Sequence, residues 1–266
     1  MTTDNPTHRP IARVDVLGVG ISAIDPDAAL AEITRWIVEG REHYVCVTGV
    51  HGVMEAQRDP ELLRIHNDSG LTTPDGMPMV WAARFAGCRN VQRVYGPDLM
   101  LAVCERAAQS GWGCYLYGST DDVLDQLGCN LTDRFPGLRI VGSYAPPFRD
   151  LTTEEDAAVV DDIASSGAQI VWVGLSTPKQ ERWMAAHVGR LGVPVVVGVG
   201  AAFDFHAGRV RQAPRWMQRS GLEWLFRLLS EPRRLWRRYA VNNPRFVMAI
   251  LRNRPHVRAA SETVNA

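Results

Sequence analysis

The sequence predicts an α/β fold: a Rossmann-like, mostly parallel sheet with helices on both faces, followed by a basic helical appendage at the C-terminus. Three observations lead there. Short apolar runs alternate with stretches of helical period from Val14 to Val199, which is the pattern of repeated strand–helix–strand units. Beyond Arg211 no strand pattern remains, and Pro214, Pro232 and Pro244 divide the chain into helical pieces. Charge is also segregated. From His206 onward thirteen arginines face Glu223, Glu231 and Glu262, a net +10; with an overall charge of zero, residues 1–205 carry −10.

The elements follow in order. Val14–Ile21 reads as a strand and Pro26–Glu39 as a helix; Tyr44–Thr48 is a strand, and Gly49–Asn67 a helical stretch. Leu71–Thr73 leads into the turn Pro74-Asp75-Gly76, and a helix is expected from Met77 to Phe85. Helices over Asp98–Ser110, Asp121–Arg134, Glu154–Ser165 and Gln180–Leu191 alternate with strands at Gly113–Tyr117, Arg139–Tyr144, Ile170–Leu175 and Val193–Val199. In the appendage, Pro232 and Pro244 suit the first position of a helix, with Asn243 as a cap before the latter. That gives three short helices near 214–230, 232–241 and 244–253. Residues 1–11 and 255–266 are expected to be disordered ends around a core of 12–212 and an appendage of 213–254.

The composition is that of a globular enzyme, 46% hydrophobic and 22% charged. The five cysteines, Cys46, Cys88, Cys104, Cys114 and Cys129, form no C-x-x-C pair, so a disulfide or zinc framework is not expected. MTTDNPTHRP is polar, unlike a signal peptide, and no apolar run reaches the roughly 20 residues that span a bilayer. A cytoplasmic protein is expected. The basic tail on an acidic body points to a polyanionic partner: an anionic membrane face, nucleic acid or a phosphorylated substrate. Aromatic and aliphatic residues between the tail arginines also suit an amphipathic element lying on anionic lipid.

Two G-x-G turns follow apolar strands, at Gly18 and Gly20 and at Gly198 and Gly200. Neither completes a dinucleotide fingerprint, because Phe203 stands where the third glycine of the second copy belongs and no helix is expected after it. Thr72-Thr73-Pro74-Asp75-Gly76 is strong turn chemistry. Gly174-Leu175-Ser176-Thr177-Pro178-Lys179-Gln180-Glu181 reads as a loop and helix start that offers hydroxyls, an amide and a cation to a sugar or phosphate. No Walker loop and no G-x-S-x-G elbow occurs. His51, His187 and His206 have no metal-ligand spacing, so no catalytic metal is expected.

Several stretches together resemble the WecG/TagA/CpsF family of bacterial glycosyltransferases: TTPDGMPMVWAARFAG (72–87), RVYGPDLM (93–100), VGLSTPKQERWM (173–184) and VGVGAAFDFHAGRVRQAPRWMQRSGLEWLFRLLSEPRRLWRRY (197–239). Order and spacing match across roughly residues 12–253. The resemblance implies an inverting, metal-independent transfer from a UDP-sugar, of N-acetylmannosamine type or another hexose, to a polyprenyl-diphosphate-linked sugar. The setting is the inner face of the cytoplasmic membrane, in teichoic acid, exopolysaccharide or other cell-surface polysaccharide synthesis. It also implies roles for residues: Asp75 as general base, Thr48 and Gln180 as substrate-binding groups, and Arg215, Arg219, Arg227 and Arg234 on the diphosphates. Many relatives carry an asparagine just after the threonine. This chain reads Thr48-Gly49-Val50-His51, so the asparagine's contact is either missing or taken over, with His51 the candidate, and the donor sugar is left undefined. Lys179 joins Gln180 as a substrate contact. Strand-end geometry adds Gly174, Gly198, Gly200 and Asp204 as a nucleotide pocket.

The chemistry is consistent with these assignments. An acceptor hydroxyl attacks the anomeric carbon as the UDP leaves, one carboxylate takes the proton, and guanidinium groups stabilise the departing diphosphate. The UDP-sugar is a substrate, so no cofactor is expected; nor is a nucleic-acid partner, while a homo-oligomer is left open. The rival readings are an NAD(P)-dependent oxidoreductase and a non-enzymatic membrane or nucleic-acid adaptor. The first lacks the complete fingerprint; the second leaves Thr-Pro-Asp-Gly and Pro-Lys-Gln-Glu without a purpose.

Overall fold

A computed structural model describes residues 11–259; the expected disorder of residues 1–10 and 260–266 lies outside that range. The chain opens with β1 (Arg13–Val16) and β2 (Val19–Ser22), an antiparallel hairpin rather than the single strand expected. The turn residues Leu17 and Gly18 have φ of 55° and 82°, the paired left-handed geometry of a two-residue hairpin. Asp15 accepts the Gly18 N–H at 2.8 Å. The first G-x-G is therefore a hairpin turn.

Next come α1 (Pro26–Glu39), β3 (His43–Thr48), α2 (Val50–Ala56), α3 (Pro60–Asp68), β4 (Leu71–Pro74), α4 (Met77–Phe85) and α5 (Gly96–Ser110). Asp25 caps α1, and Gly40 ends it in the left-handed region. The helical stretch expected over Gly49–Asn67 is two helices, because Asp59 turns to extended backbone and caps α3 by accepting from the Glu61 and Leu62 N–H groups. The alternation continues through β5 (Gly113–Gly118), α6 (Asp121–Arg134), β6 (Arg139–Tyr144), α7 (Thr153–Ser165), β7 (Ala168–Gly174), α8 (Lys179–His187) and β8 (Val195–Gly198). Thr152 and Glu155 form a reciprocal capping box on α7.

Six strands make one parallel sheet in the order β4-β3-β8-β7-β5-β6. Every residue of β5 and β8 is buried, as a parallel sheet covered on both faces requires. One face packs Ile33, Trp36, Val103 and Leu127 from α1, α5 and α6. The other packs Ile65, Val159, Ile163 and Met184 from α3, α7 and α8.

After β8 the chain forms α9 (Ala202–His206), a short helix that the sequence did not announce. It has no side-chain cap; buried Ala202 and Phe203 hold it against the sheet instead. The appendage comprises α10 (Arg215–Arg219), α11 (Glu223–Ser230) and α12 (Pro232–Arg252). The helix expected over 214–230 breaks at Gly221, whose φ is +75°. The break expected at Pro244 does not occur: α12 runs through it, with Asn243 inside the helix rather than capping it. Leu235, Asn242 and Phe246 are buried on both sides of the proline, and Phe246 enters a cluster with Val14, Val53 and Met79. That burial outweighs the one backbone hydrogen bond a helical proline forfeits. The disorder expected from Pro255 onward also gives way. β9 (His256–Val257) pairs antiparallel with β1, and Arg258 reaches Asp15 at 3.0 Å.

Candidate active site

β7 and β8 are neighbours in the sheet, yet α8 packs on one face and α9 on the other. Diverging connections of this kind open a crevice at the carboxyl ends of the strands. The loops after β3, β4, β7 and β8 form one side of a cleft of about 1320 Å³, and α11 and α12 form the other.

Asp75 sits in this cleft directly after β4. Its backbone is fixed from two sides: its N–H donates to the Thr48 carbonyl at 3.1 Å, and its own carbonyl accepts from Arg93 Nε at 2.5 Å. Oδ1 accepts the Gly96 N–H at 3.3 Å, at the start of α5, and lies 4.0 Å from Arg93 Nη2. Arg93 is also paired with Glu223 of α11. About a third of the Asp75 side chain (32%) remains open. Desolvation raises its pKa above the ordinary aspartate value, while Arg93 pulls in the opposite direction.

Thr48 ends β3, is buried, and holds His66 Nδ1 at 3.3 Å through its hydroxyl. Burial drops His66 to about 4, so its ring is neutral at physiological pH. His51, in the first turn of α2, lies 3.2 Å from Asn242 Nδ2 of α12. Desolvation, then Arg238 and Arg58, bring its pKa to about 4. His51 thus faces the cleft as a neutral ring, offering hydrogen bonds rather than a cation.

Gln180 and Glu181 are both buried in the wall formed by the first turn of α8. Gly174 and Gly200 line the cleft, whereas Gly198 stands behind it. A Cβ at Gly198 would lie 2.7 Å from Met184 Cε and 3.2 Å from Gln180 Cδ, and one at Gly174 would meet the Phe203 ring at 2.3 Å. These glycines let α8 and α9 close on the strand ends. Asp204 of α9 lines the cleft; burial raises its pKa, with Arg234 opposing.

The arginines divide. Arg227 and Arg234 line the cleft; Arg234 also pairs with Glu231 at 2.7 Å. Arg215 and Arg219 are exposed outside it, and Arg215 is paired with Asp98 at 2.6 Å. The turn at Gly221 separates α10 from α11, leaving the earlier arginines away from the wall. Lys179 is exposed and likewise outside the lining, while its neighbour Gln180 points inward.

Several cleft residues escaped the sequence reading. Arg93, Glu223, Arg238 and Asn242 all line it, and so does Glu181, which the sequence presents only as part of a helix start. Arg93 opens the RVYGPDLM block, which was a signal in plain sight. Arg238 and Asn242 reach the cleft through the packing of α12 over the core, so no local pattern could have placed them. Among the described residues, no group of three His, Cys, Asp or Glu side chains is arranged to hold a metal ion.

The profile of the Glycosyl transferase WecG/TagA/CpsF family matches residues 14–260. Two relatives carry the name N-acetylglucosaminyldiphosphoundecaprenol N-acetyl-beta-D-mannosaminyltransferase. The one from Bacillus spizizenii (strain ATCC 23059 / NRRL B-14472 / W23) is 28% identical over 229 residues, covering 86% of this chain and 85% of its own. The one from Bacillus subtilis (strain 168) is 25% identical over 236 residues, covering 89% and 80%. With a match that takes in the sheet, the Asp75 turn, the α8 wall and the arginine helices, the chain belongs to the WecG/TagA/CpsF family of glycosyltransferases.

Proposed function

We propose that this glycosyltransferase moves an N-acetylmannosamine-type sugar from its UDP derivative to a polyprenyl-diphosphate-linked N-acetylglucosamine, with inversion, in the synthesis of a cell-surface polymer. The acceptor follows the names of the two Bacillus relatives. The observation that carries the chemistry is a single cleft holding the Asp75 carboxylate across from Arg227, Arg234 and Arg238. An inverting transfer needs a base on one side of the anomeric carbon and a countercharge for the leaving diphosphate on the other.

In this reading the acceptor hydroxyl oxygen bonds to the anomeric carbon and its proton passes to Asp75. The bond from that carbon to the diphosphate oxygen breaks, and UDP leaves with the electron pair. Desolvation makes Asp75 a stronger base than an exposed aspartate. Guanidinium groups bind phosphate oxygens in pairs and take the developing charge, so the transfer is metal-independent. The cleft exceeds the ~300–1,000 Å³ of an ordinary small-molecule site, which suits two substrates held together.

The same reading places the protein on the cytoplasmic face of the membrane. No helix among the described residues is long and apolar enough to cross a bilayer. Trp81, Phe85, Trp224, Val247 and Leu251 are exposed around the cleft, where the lipid part of an acceptor would lie. Exposed Arg233, Arg237 and Arg245 on α12 offer charge to anionic headgroups.

The test is UDP release from a panel of UDP-sugars, with and without polyprenyl-diphosphate-N-acetylglucosamine, in buffer containing EDTA. The expected result is acceptor-dependent release with UDP-N-acetylmannosamine. Release with no donor under any condition overturns the reading, and a strict need for added divalent metal overturns its metal-independent part.

A further inference from the structure

Gln180 and Glu181 stand side by side in the cleft wall, and each has an oxygen that accepts from nothing. Both side chains are almost fully buried, at 4% and 1% exposure. Glu181 Oε1 accepts twice, from Thr177 Oγ1 at 3.0 Å and from Gln180 Nε2 at 2.9 Å. The second bond sets the Gln180 amide: its NH₂ faces the carboxylate, so its oxygen is turned away as an acceptor. That oxygen points toward Gly200, where a Cβ would come within 3.4 Å of it. Neither Gln180 Oε1 nor Glu181 Oε2 has a hydrogen-bond partner.

Unpaired buried acceptors are costly, and folded proteins keep few of them. Two on adjacent residues, at the wall of a cleft, call for two adjacent donors from whatever fills it. A carboxylate repels phosphate oxygens, so this part of the wall does not hold the diphosphate, which belongs with the arginines opposite. The donors that a sugar nucleotide has left to offer are its neutral hydroxyl and amide groups. We propose that Glu181 is a specificity-determining residue which, with Gln180, accepts hydrogen bonds from a vicinal pair of hydroxyls on the sugar-nucleotide donor. This rests on the donor class proposed above. Burial raises the Glu181 carboxyl, while its bonds from Gln180 and Thr177 and the nearby Arg238 favour the ionised, accepting form. Glu181→Gln keeps the volume but replaces one acceptor with a donor and frees the Gln180 amide to turn over.

Vicinal hydroxyls occur on both the ribose and the transferred hexose, and calorimetric titration distinguishes them. The full-length wild type and Glu181→Gln are titrated with UDP, 2′-deoxy-UDP, 3′-deoxy-UDP and UDP-N-acetylmannosamine. If the ribose is read, Glu181→Gln weakens UDP by about 10- to 100-fold, and the penalty that the deoxy forms suffer in the wild type disappears in the variant. If the hexose is read, UDP binds both proteins equally and only UDP-N-acetylmannosamine weakens by that factor. Equal binding of every ligand by a folded variant overturns the proposal. Should the variant fail to fold, the wild type alone decides. Indifference to both ribose deletions, with no affinity gained from the hexose, is the overturning result. A wild type that binds neither UDP nor UDP-N-acetylmannosamine overturns the donor class, and the Glu181 role with it; binding that ignores Glu181 overturns only the latter.

Discussion

At the scale of single residues, Asp75 is tuned by two opposing effects, and each can be removed. Asp75→Asn deletes the proposed base with almost no change in volume. Transfer should fall by about 10²- to 10⁴-fold while calorimetric UDP affinity stays within a factor of two to three of wild type; unchanged turnover would end its role as base. Arg93 favours the ionised carboxylate, so Arg93→Met leaves Asp75 easier to protonate. Since the proposed base acts in its ionised form, the acid limb of the kcat/KM profile should move to higher pH in that variant; a limb that stays put would mean another group titrates there. His66 gives a stability counterpart. Its pKa drops from an unfolded value near 6.5 to about 4 in the folded chain, so the unfolded state takes up the proton first as pH falls. Stability is then full above pH 6.5 and is lost between there and pH 4. A drop of that size corresponds to about 3 kcal/mol. His66→Gln should lose correspondingly less on acidification, as read from urea midpoints at pH 7.5 and 4.5; parallel losses in both proteins would refute the assignment.

At the scale of elements, the appendage depends on one corner. Gly221 sits at φ +75° between α10 and α11, and a Cβ there would come within 2.7 Å of Trp81 Cη2. An alanine in the left-handed region costs about 1–2 kcal/mol before any clash. Gly221→Ala should therefore lower the melting temperature by roughly 2–8 °C and shift the Trp81 wall of the cleft; a melt equal to wild type would show that the corner relaxes freely. The same corner marks the limit of what the sequence could reveal. Helices with their own signals, such as α1 between Asp25 and Gly40 or α7 with its capping box, were legible almost to the residue. So was the parallel sheet, because strands buried on both faces read as continuous apolar runs. What failed was decided by tertiary contact. α12 passes Pro244 because Asn242 and Phe246 are buried beside it, and β9 forms because β1, some 240 residues away, offers an open edge. The candidate site followed the same rule. Thr48 and Asp75 sit at strand ends and Gln180 in the first turn of α8, places that the strand and motif pattern marks, whereas Arg238 and Glu223 reach the cleft only through the packing of α11 and α12.

At the scale of the whole molecule, the charge segregation is not simply a basic tail held away from an acidic body. Glu223 binds Arg93, Arg215 binds Asp98 and Arg258 binds Asp15, so three ion pairs join the C-terminal region to the core. The arginines left over on α12 fall into two groups. Arg234 and Arg238 line the cleft, while Arg233, Arg237, Arg245 and, at the helix end, Arg252 are exposed and outside its lining. If the second group serves the membrane and the first the diphosphates, the two functions can be separated in one variant. Each basic residue near an anionic surface contributes about 1 kcal/mol, so removing three should weaken attachment by about 3 kcal/mol, or roughly 100-fold. Reversing the charges to glutamate deepens that loss by adding repulsion. The triple variant Arg233→Glu, Arg237→Glu, Arg245→Glu should therefore stop sedimenting with phosphatidylglycerol-containing vesicles. It should keep wild-type affinity for UDP and wild-type transfer to a short-chain, water-soluble acceptor. Sedimentation unchanged from wild type would place the membrane contact elsewhere. A parallel loss of UDP affinity would mean that the exposed arginines also support the diphosphate site, and that attachment and donor binding share one set of charges.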